Sequence, residues 1–166
     1  MEPSEVRLVP DPVLSRRAVE FETIDDDARA LGHALLSAMR DTPHSVGVAA
    51  PQLGVPRRAM CIDVTGHRKA RSCHGEVLLF NPQLLIAHGR EVGREGCMSV
   101  PDLTGDVERS TLVVVQGLDL DGRVQVIEAD AFEARALQHE LDHLDGLLFL
   151  DRVVSADRVF ARRRYR

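Results

Sequence analysis

The sequence predicts an α+β fold, antiparallel β-sheets packed around a central helix. Two stretches carry helical spacing, near residues 23–39 and 130–146, and a block of short β-rich runs separates them at 58–128. Within that block, Asp121-Gly122 joins two runs as a hairpin turn would. The order helix, strands, helix lacks the βα alternation of a parallel sheet. With no internal repeat and no linker, the 166 residues read as a single catalytic domain, 1–166, whose residues 158–166 form a basic tail.

The first helix is expected to start at Thr23, a cap with Asp26 three residues on, and to end before Pro43. Leu31, Leu35, Ala38 and Met39 recur along it at the helical period. Four runs then read as strands: "RAMCIDV" (58–64), "VLLFNP" (77–82), "TLVVVQGLDL" (111–120) and "RVQVIEA" (123–129). Val124 and Val126 alternate with Arg123 and Gln125, as in a half-buried strand. The polar stretch "VTGHRKARSCHG" (64–75) reads as a long exposed loop. The second helix has Asp130 as cap with Glu133 reaching back, and Gly146 ending it in a left-handed turn. One of its faces carries Ala134, Leu137, Leu141 and Leu144, another Phe132, Ala136, His139 and His143, so sheets should enclose it, its polar members turned towards a site.

Composition excludes several functions. Aromatic residues make up 4% with no Trp, which leaves no stacking platform for single-stranded nucleic acid. The net charge of -5 has the wrong sign for a general polyanion binder, so DNA is not an expected partner. The arginines of "RVFARRRYR" (158–166) are the local exception, a solvated tail or a contact with an RNA-bearing partner such as the ribosome. No apolar run approaches the roughly 20 residues that cross a bilayer. Cys61, Cys73 and Cys97 are odd in number and no secretion signal is visible, so a cytoplasmic location with free thiols is expected.

His139, Glu140 and His143 form H-E-x-x-H on the second helix. Residues four apart share a helix face, so both imidazoles point at one metal while Glu140 stands beside them, placed to act as a general base. The bland alternative is an amphipathic helix with two partly buried histidines. A hydrolytic metal takes three protein ligands and keeps a position open. Only 23 residues follow His143, offering Asp145, Asp151 and Asp157 but no glutamate, so the third ligand should lie upstream. Cys97, in "EGCMSVP" (95–101), would complete a Cys/His2 set, although a lone cysteine is more often a small core hydrophobe. Cys61 reads as core and Cys73 as a loop residue. In "GVAAPQLG" (47–54), small residues let a ligand's backbone approach and the Gln52 carboxamide could donate to an oxyanion; an ordinary turn would look the same.

Taken together, "SVGVAAPQ" (45–52), "EGCMS" (95–99) and "QHELDH" (138–143) resemble the three ordered motifs of the peptide deformylase family, over about residues 9–152. One departure is Ser45, where the family's first motif has glycine. The resemblance implies hydrolytic removal of the formyl group from N-terminal formyl-methionine of nascent proteins. It also implies an α+β fold whose central helix bears the H-E-x-x-H pair. Carried over position by position, Cys97, His139 and His143 are the metal ligands and Glu140 the acid/base assisting attack of metal-bound water. Gln52 and the Met98 backbone N–H stabilise the oxyanion. Val46, Phe132 and Ala136 are expected to line the methionine pocket unless they merely pack the core, with Gly47 and Gly93 making main-chain contacts to the peptide. The cofactor is one divalent ion, Fe2+ in the cell by resemblance, with Zn2+, Ni2+ or Co2+ compatible with the ligands. Two rivals share these residues: a small zinc endopeptidase, and a catalytically idle relative that holds metal or binds the ribosome.

Overall fold

Helix α1 (Asp26–Asp41) starts where Asp25 Oδ1 accepts a hydrogen bond from the Ala28 N–H at 2.9 Å, leaving Thr23 outside the helix. Asp25 wins because its carboxylate satisfies an end donor and also opposes the positive end of the helix dipole, as do Asp26 and Asp27 in the first turn. At the other end Thr42 caps the helix and Pro43 stops it. The computed structural model describes residues 5–162.

Five strands make the larger sheet, in the order β1 (Gly47–Ala49), β2 (Ala59–Ile62), β3 (Val77–His88), β6 (Leu112–Leu118) and β7 (Val124–Asp130), with every neighbouring pair antiparallel. A smaller sheet holds β4 (Glu91–Cys97), β5 (Val100–Arg109) and β8 (Val159–Ala161). Strand β2 is apolar throughout because both faces are covered. Ala59 and Cys61 meet α1 residues such as Leu35 and Met39, while Met60 and Ile62 meet Leu137 and Leu141 of the second helix, α2 (Ala131–Leu144). The polar side of α2 is closed by the smaller sheet, through Glu95, Val107 and Arg109. The helix is thus enclosed between sheets, as its two apolar faces predict.

Four details differ from the sequence reading. In β7 the alternation is real but its phase is reversed. Val124 and Val126 are 60% and 58% exposed, and Ile127 and Ala129 supply the inward packing. The register fixes this, since Ile127 pairs with the core residue Val115. At the start of α2, Asp130 makes no side-chain cap and Glu133 does not reach back; both turn to the 64–75 loop, bonding Ser72 and His74. Strands β4 and β5 lie inside the expected β-rich block, 58–128, but match none of its four named runs. Finally, the basic segment does not begin as a free tail. Arg158 pairs with Asp106, β8 bonds to β5, and Arg162 reaches the Cys97 carbonyl, whereas Arg163, Arg164 and Arg166 lie outside the described residues. The hairpin at Gly122 and the left-handed Gly146 (φ 79°) are as predicted, and a Cβ on Gly146 would stand 2.8 Å from the Ser15 carbonyl oxygen.

Candidate metal and catalytic centre

Three elements converge on one point. Helix α2 contributes His139 and His143, one turn apart, with ring centroids 5.1 Å from each other. The β4–β5 hairpin contributes Cys97, made to face inward by a register shift between Gly96 and Cys97. The Cys97 Sγ lies 3.3 Å from His143 Nε2, and the ligand atoms of Cys97, His139 and His143 all fall within 4.8 Å of one another. Ligand atoms around a tetrahedral ion stand about 3.5 Å apart, given bonds of about 2.0–2.3 Å. A soft thiolate and two imidazoles at this spacing therefore fit a divalent transition metal.

Supporting groups orient these ligands. His139 Nδ1 is 2.9 Å from Glu95 Oε1, which leaves Nε2 for the centre. Glu95 is itself clasped by both arms of Arg109 at 2.9 Å and by Arg135 at 2.7 Å. Arg109 continues to Asp142 at 2.6 Å, and Arg152 closes on the same carboxylate. Burial opposes charge on Glu95, yet hydrogen bonds with His139 and Arg109 hold it well below the ordinary carboxylate range. His143 moves down, chiefly by burial and then by the positive charge near it.

Glu140 is buried beside the ligand atoms, and burial pushes its pKa up to about 7. Its Oε2 makes no hydrogen bond, one of two such buried side-chain atoms among the described residues, the other being His143 Nδ1. Gly47 makes room for this carboxylate: a Cβ there would lie 2.8 Å from Glu140 Oε1 and 3.0 Å from the Cys61 carbonyl oxygen. Gln52 has a fixed amide, since Oε1 accepts from the Ala49 N–H at 3.0 Å and Nε2 donates to Ser99 Oγ at 3.1 Å. The same Nε2 is 3.5 Å from the Cys97 sulfur, so its N–H side faces the centre.

A cavity of about 290 Å³ opens over these groups, lined by Val46, Gly47, Gln52, Cys97, Met98 and Glu140, with Phe132 and Ala136 on its wall. Gly93 is the exception among the expected contacts. It lies off the lining, covered by the Arg135 guanidinium. Ser45 has no positive φ and bonds the Gly47 carbonyl at 3.3 Å, so the backbone there accepts a side chain without strain. Sequence reasoning assigned no role to Ser99, Glu95, Asp142, Arg109 or Arg135. The first three lie inside or beside the quoted motifs, a signal that was available; the two arginines carry none.

The family model described as polypeptide deformylase matches residues 3–159. The peptide deformylase of Rhizobium meliloti is 38% identical over 159 residues, covering 95% of this chain and 89% of the relative. Among solved structures, the Ehrlichia chaffeensis peptide deformylase in complex with actinonin superposes with a TM-score of 0.87 at 31% identity, over 95% of this chain and 92% of the other. A Met-Ala-Ser-bound peptide deformylase from Acinetobacter baumannii gives 0.79 at 31%, over 89% and 96%.

Proposed function

The chain belongs to the polypeptide deformylase family and is accordingly a metal-dependent hydrolase that removes the formyl group from N-terminal formyl-methionine; we propose that Cys97, His139 and His143 hold its metal and that Glu140 moves the proton. The observation that carries this reading is the meeting of one sulfur and two imidazoles beside a buried carboxylate oxygen with no partner. A divalent ion held there supplies Lewis acidity, polarising the formyl carbonyl and making hydroxide available near neutral pH. Glu140 accepts the proton of the attacking water and returns it to the departing amine, and its unpartnered oxygen is free for that exchange. The Gln52 N–H side, locked by Ala49 and Ser99, and the Met98 backbone N–H meet the charge that develops on the formyl oxygen.

Val46, Phe132 and Ala136 give the methionine side chain an apolar wall, and Gly47 lets the peptide backbone run close to Glu140. The ion in the cell is Fe2+, with Zn2+, Ni2+ or Co2+ accepted by the same donors. The natural substrates are formylated nascent chains in the cytoplasm. The basic tail, 158–166, contacts the ribosome; Arg158 and Arg162 also bond Asp106 and the Cys97 carbonyl, so the deletion that tests the contact spares them. Deleting only 163–166 then lowers ribosome affinity in a salt-sensitive way, and unchanged affinity discards that contact.

Formate release from a formyl-methionyl peptide, run beside metal analysis, tests the main reading. Cys97→Ser should lose the metal or nearly all activity; a variant that keeps both removes Cys97 from the ligand set. Gln52→Leu should lower kcat by about 10²–10³ with metal retained, and an unaltered kcat removes Gln52 from the oxyanion site.

A further inference from the structure

The 64–75 loop has no part in the chemistry above, yet it is built into the wall of the catalytic cavity. Its far end is clamped to α2. The buried Glu133 accepts from Ser72 Oγ at 2.8 Å and from the His74 N–H at 2.7 Å, and Asp130 accepts from the Ser72 N–H at 2.9 Å. Its near end is ordered by a turn from Val64 to His67, and the His67 ring stacks on Phe132 with centroids 3.7 Å apart and planes 5° from parallel. Between these anchors Arg68 and Lys69 are exposed, line the cavity, and form no ion pair with a described residue.

Charge around the cavity is one-sided. Arg68, Lys69, Arg94, Arg135 and Arg162 line it, against the buried Glu95 and Glu140; Arg135 is paired with Glu95 and Arg94 with Asp106, which leaves Arg68, Lys69 and Arg162 as lining cations with no ion pair to a described residue. The cavity adjoins a groove of about 670 Å³ over the smaller sheet, which shares Arg94, Glu95, Gly96 and Arg162 with it and adds Thr104 and Phe160. Arg94 is held there by Asp106 and by stacking over the Phe160 ring at 4.0 Å. A peptide whose methionine fills the apolar wall must leave through a mouth bordered by these cations. The chain as a whole carries a net charge of -5, so the positive mouth is a local feature rather than a reflection of composition.

We propose that this cationic mouth, through Arg68 and Lys69 of the 64–75 loop with Arg94 and Arg162, selects formyl-methionyl peptides that carry an acidic side chain in the residues just after methionine. The inference rests on the deformylase reading and adds a substrate class to it. The attraction is between exposed groups, so it is modest, salt-sensitive and expressed in binding rather than in the chemical step.

The test uses the full-length, metal-loaded enzyme and three peptides, formyl-Met-Ala-Glu, formyl-Met-Ala-Ala and formyl-Met-Ala-Lys, each amidated at its C-terminus, with formate release as readout. At low ionic strength kcat/KM should fall in that order, by roughly three- to tenfold from Glu to Lys, with the change in KM. In about 0.5 M salt the spread should shrink towards unity. The double variant Arg68→Glu, Lys69→Glu should invert the order, its folding checked by circular dichroism. Equal kcat/KM for the Glu and Lys peptides at low salt overturns the proposal, as does an unchanged order in the double variant. These failures leave the deformylase reading standing, whereas no formate from any of the peptides defeats that reading and the preference with it.

Discussion

The two α-helices among the described residues are of similar length, 16 residues in α1 and 14 in α2, but they are held by different physics. Helix α1 buries one stripe, including Leu35, Leu36 and Met39, on the larger sheet and leaves its charged side in solvent. Helix α2 buries ten residues, among them Glu133, Gln138, Glu140, Asp142 and His143. A polar side chain taken out of water needs a partner, so α2 is pinned from several directions: Gln138 to Ser110, Asp142 to Arg109 and Arg152, His139 to Glu95. The comparison teaches that one helix is placed mainly by apolar area, whereas the other is placed largely by directional bonds between buried polar groups. Directional bonds are what a metal centre requires, since a ligand displaced by a few tenths of an ångström changes the coordination. The exceptions in that set are Glu140 Oε2 and His143 Nδ1, both beside the candidate metal site.

If this contrast is right, substitutions in α2 and its partners should strike function, and those in α1 only stability. The largest effect is expected from Glu140→Gln, which should retain the metal and the fold but lose about 10³–10⁴ in kcat; a stopped assay with full metal content checks it, and a modest loss would break the contrast at its strongest point. Next comes Arg109→Met, which removes one arginine partner from each of two buried carboxylates, leaving Glu95 with Arg135 and Asp142 with Arg152, and should cost about 3 kcal/mol in urea unfolding. That loss should come with weaker metal retention, because Glu95, which orients His139, is then held by Arg135 alone. Leu35→Ala in α1 removes core volume and should cost about 3 kcal/mol while kcat, measured where the variant is folded, stays put. A fall in kcat there would mean that α1 also sets the site. The smallest effect belongs to Asp25→Ala, about 1 kcal/mol for a lost cap, read as a small drop in Tm with unaltered kinetics.

The same contrast explains what could be read in advance. Helix α1 was legible from spacing, with its start misplaced by two or three residues because Thr23 and Asp25 are both good caps and only tertiary contact chooses between them. The cluster of Cys97, His139 and His143 was legible because residue chemistry and spacing along α2 point to a candidate metal site, and Cys97 followed from the need for a third donor. Strands β4 and β5 were not, since "EVGREGC" and "VPDLTGDVER" lack apolar alternation. They are strands whose inward residues include Glu95, Asp106 and Arg109, charges that look solvent-facing until their partners are known. Those partners are distant in sequence, Arg109 to Asp142 spanning 33 positions and Arg135 to Glu95 spanning 40. The outward turn of Val124 and Val126 was hidden for a related reason: period alone does not reveal which face of an edge strand meets the core.

Gly47 has one more implication. With the Glu140 carboxylate on one side and the Cys61 carbonyl on the other, no larger residue fits at that position without moving Glu140. A small molecule that draws its affinity from packing against this bare stretch of main chain would press on a spot where drug resistance has no inexpensive mutation to offer.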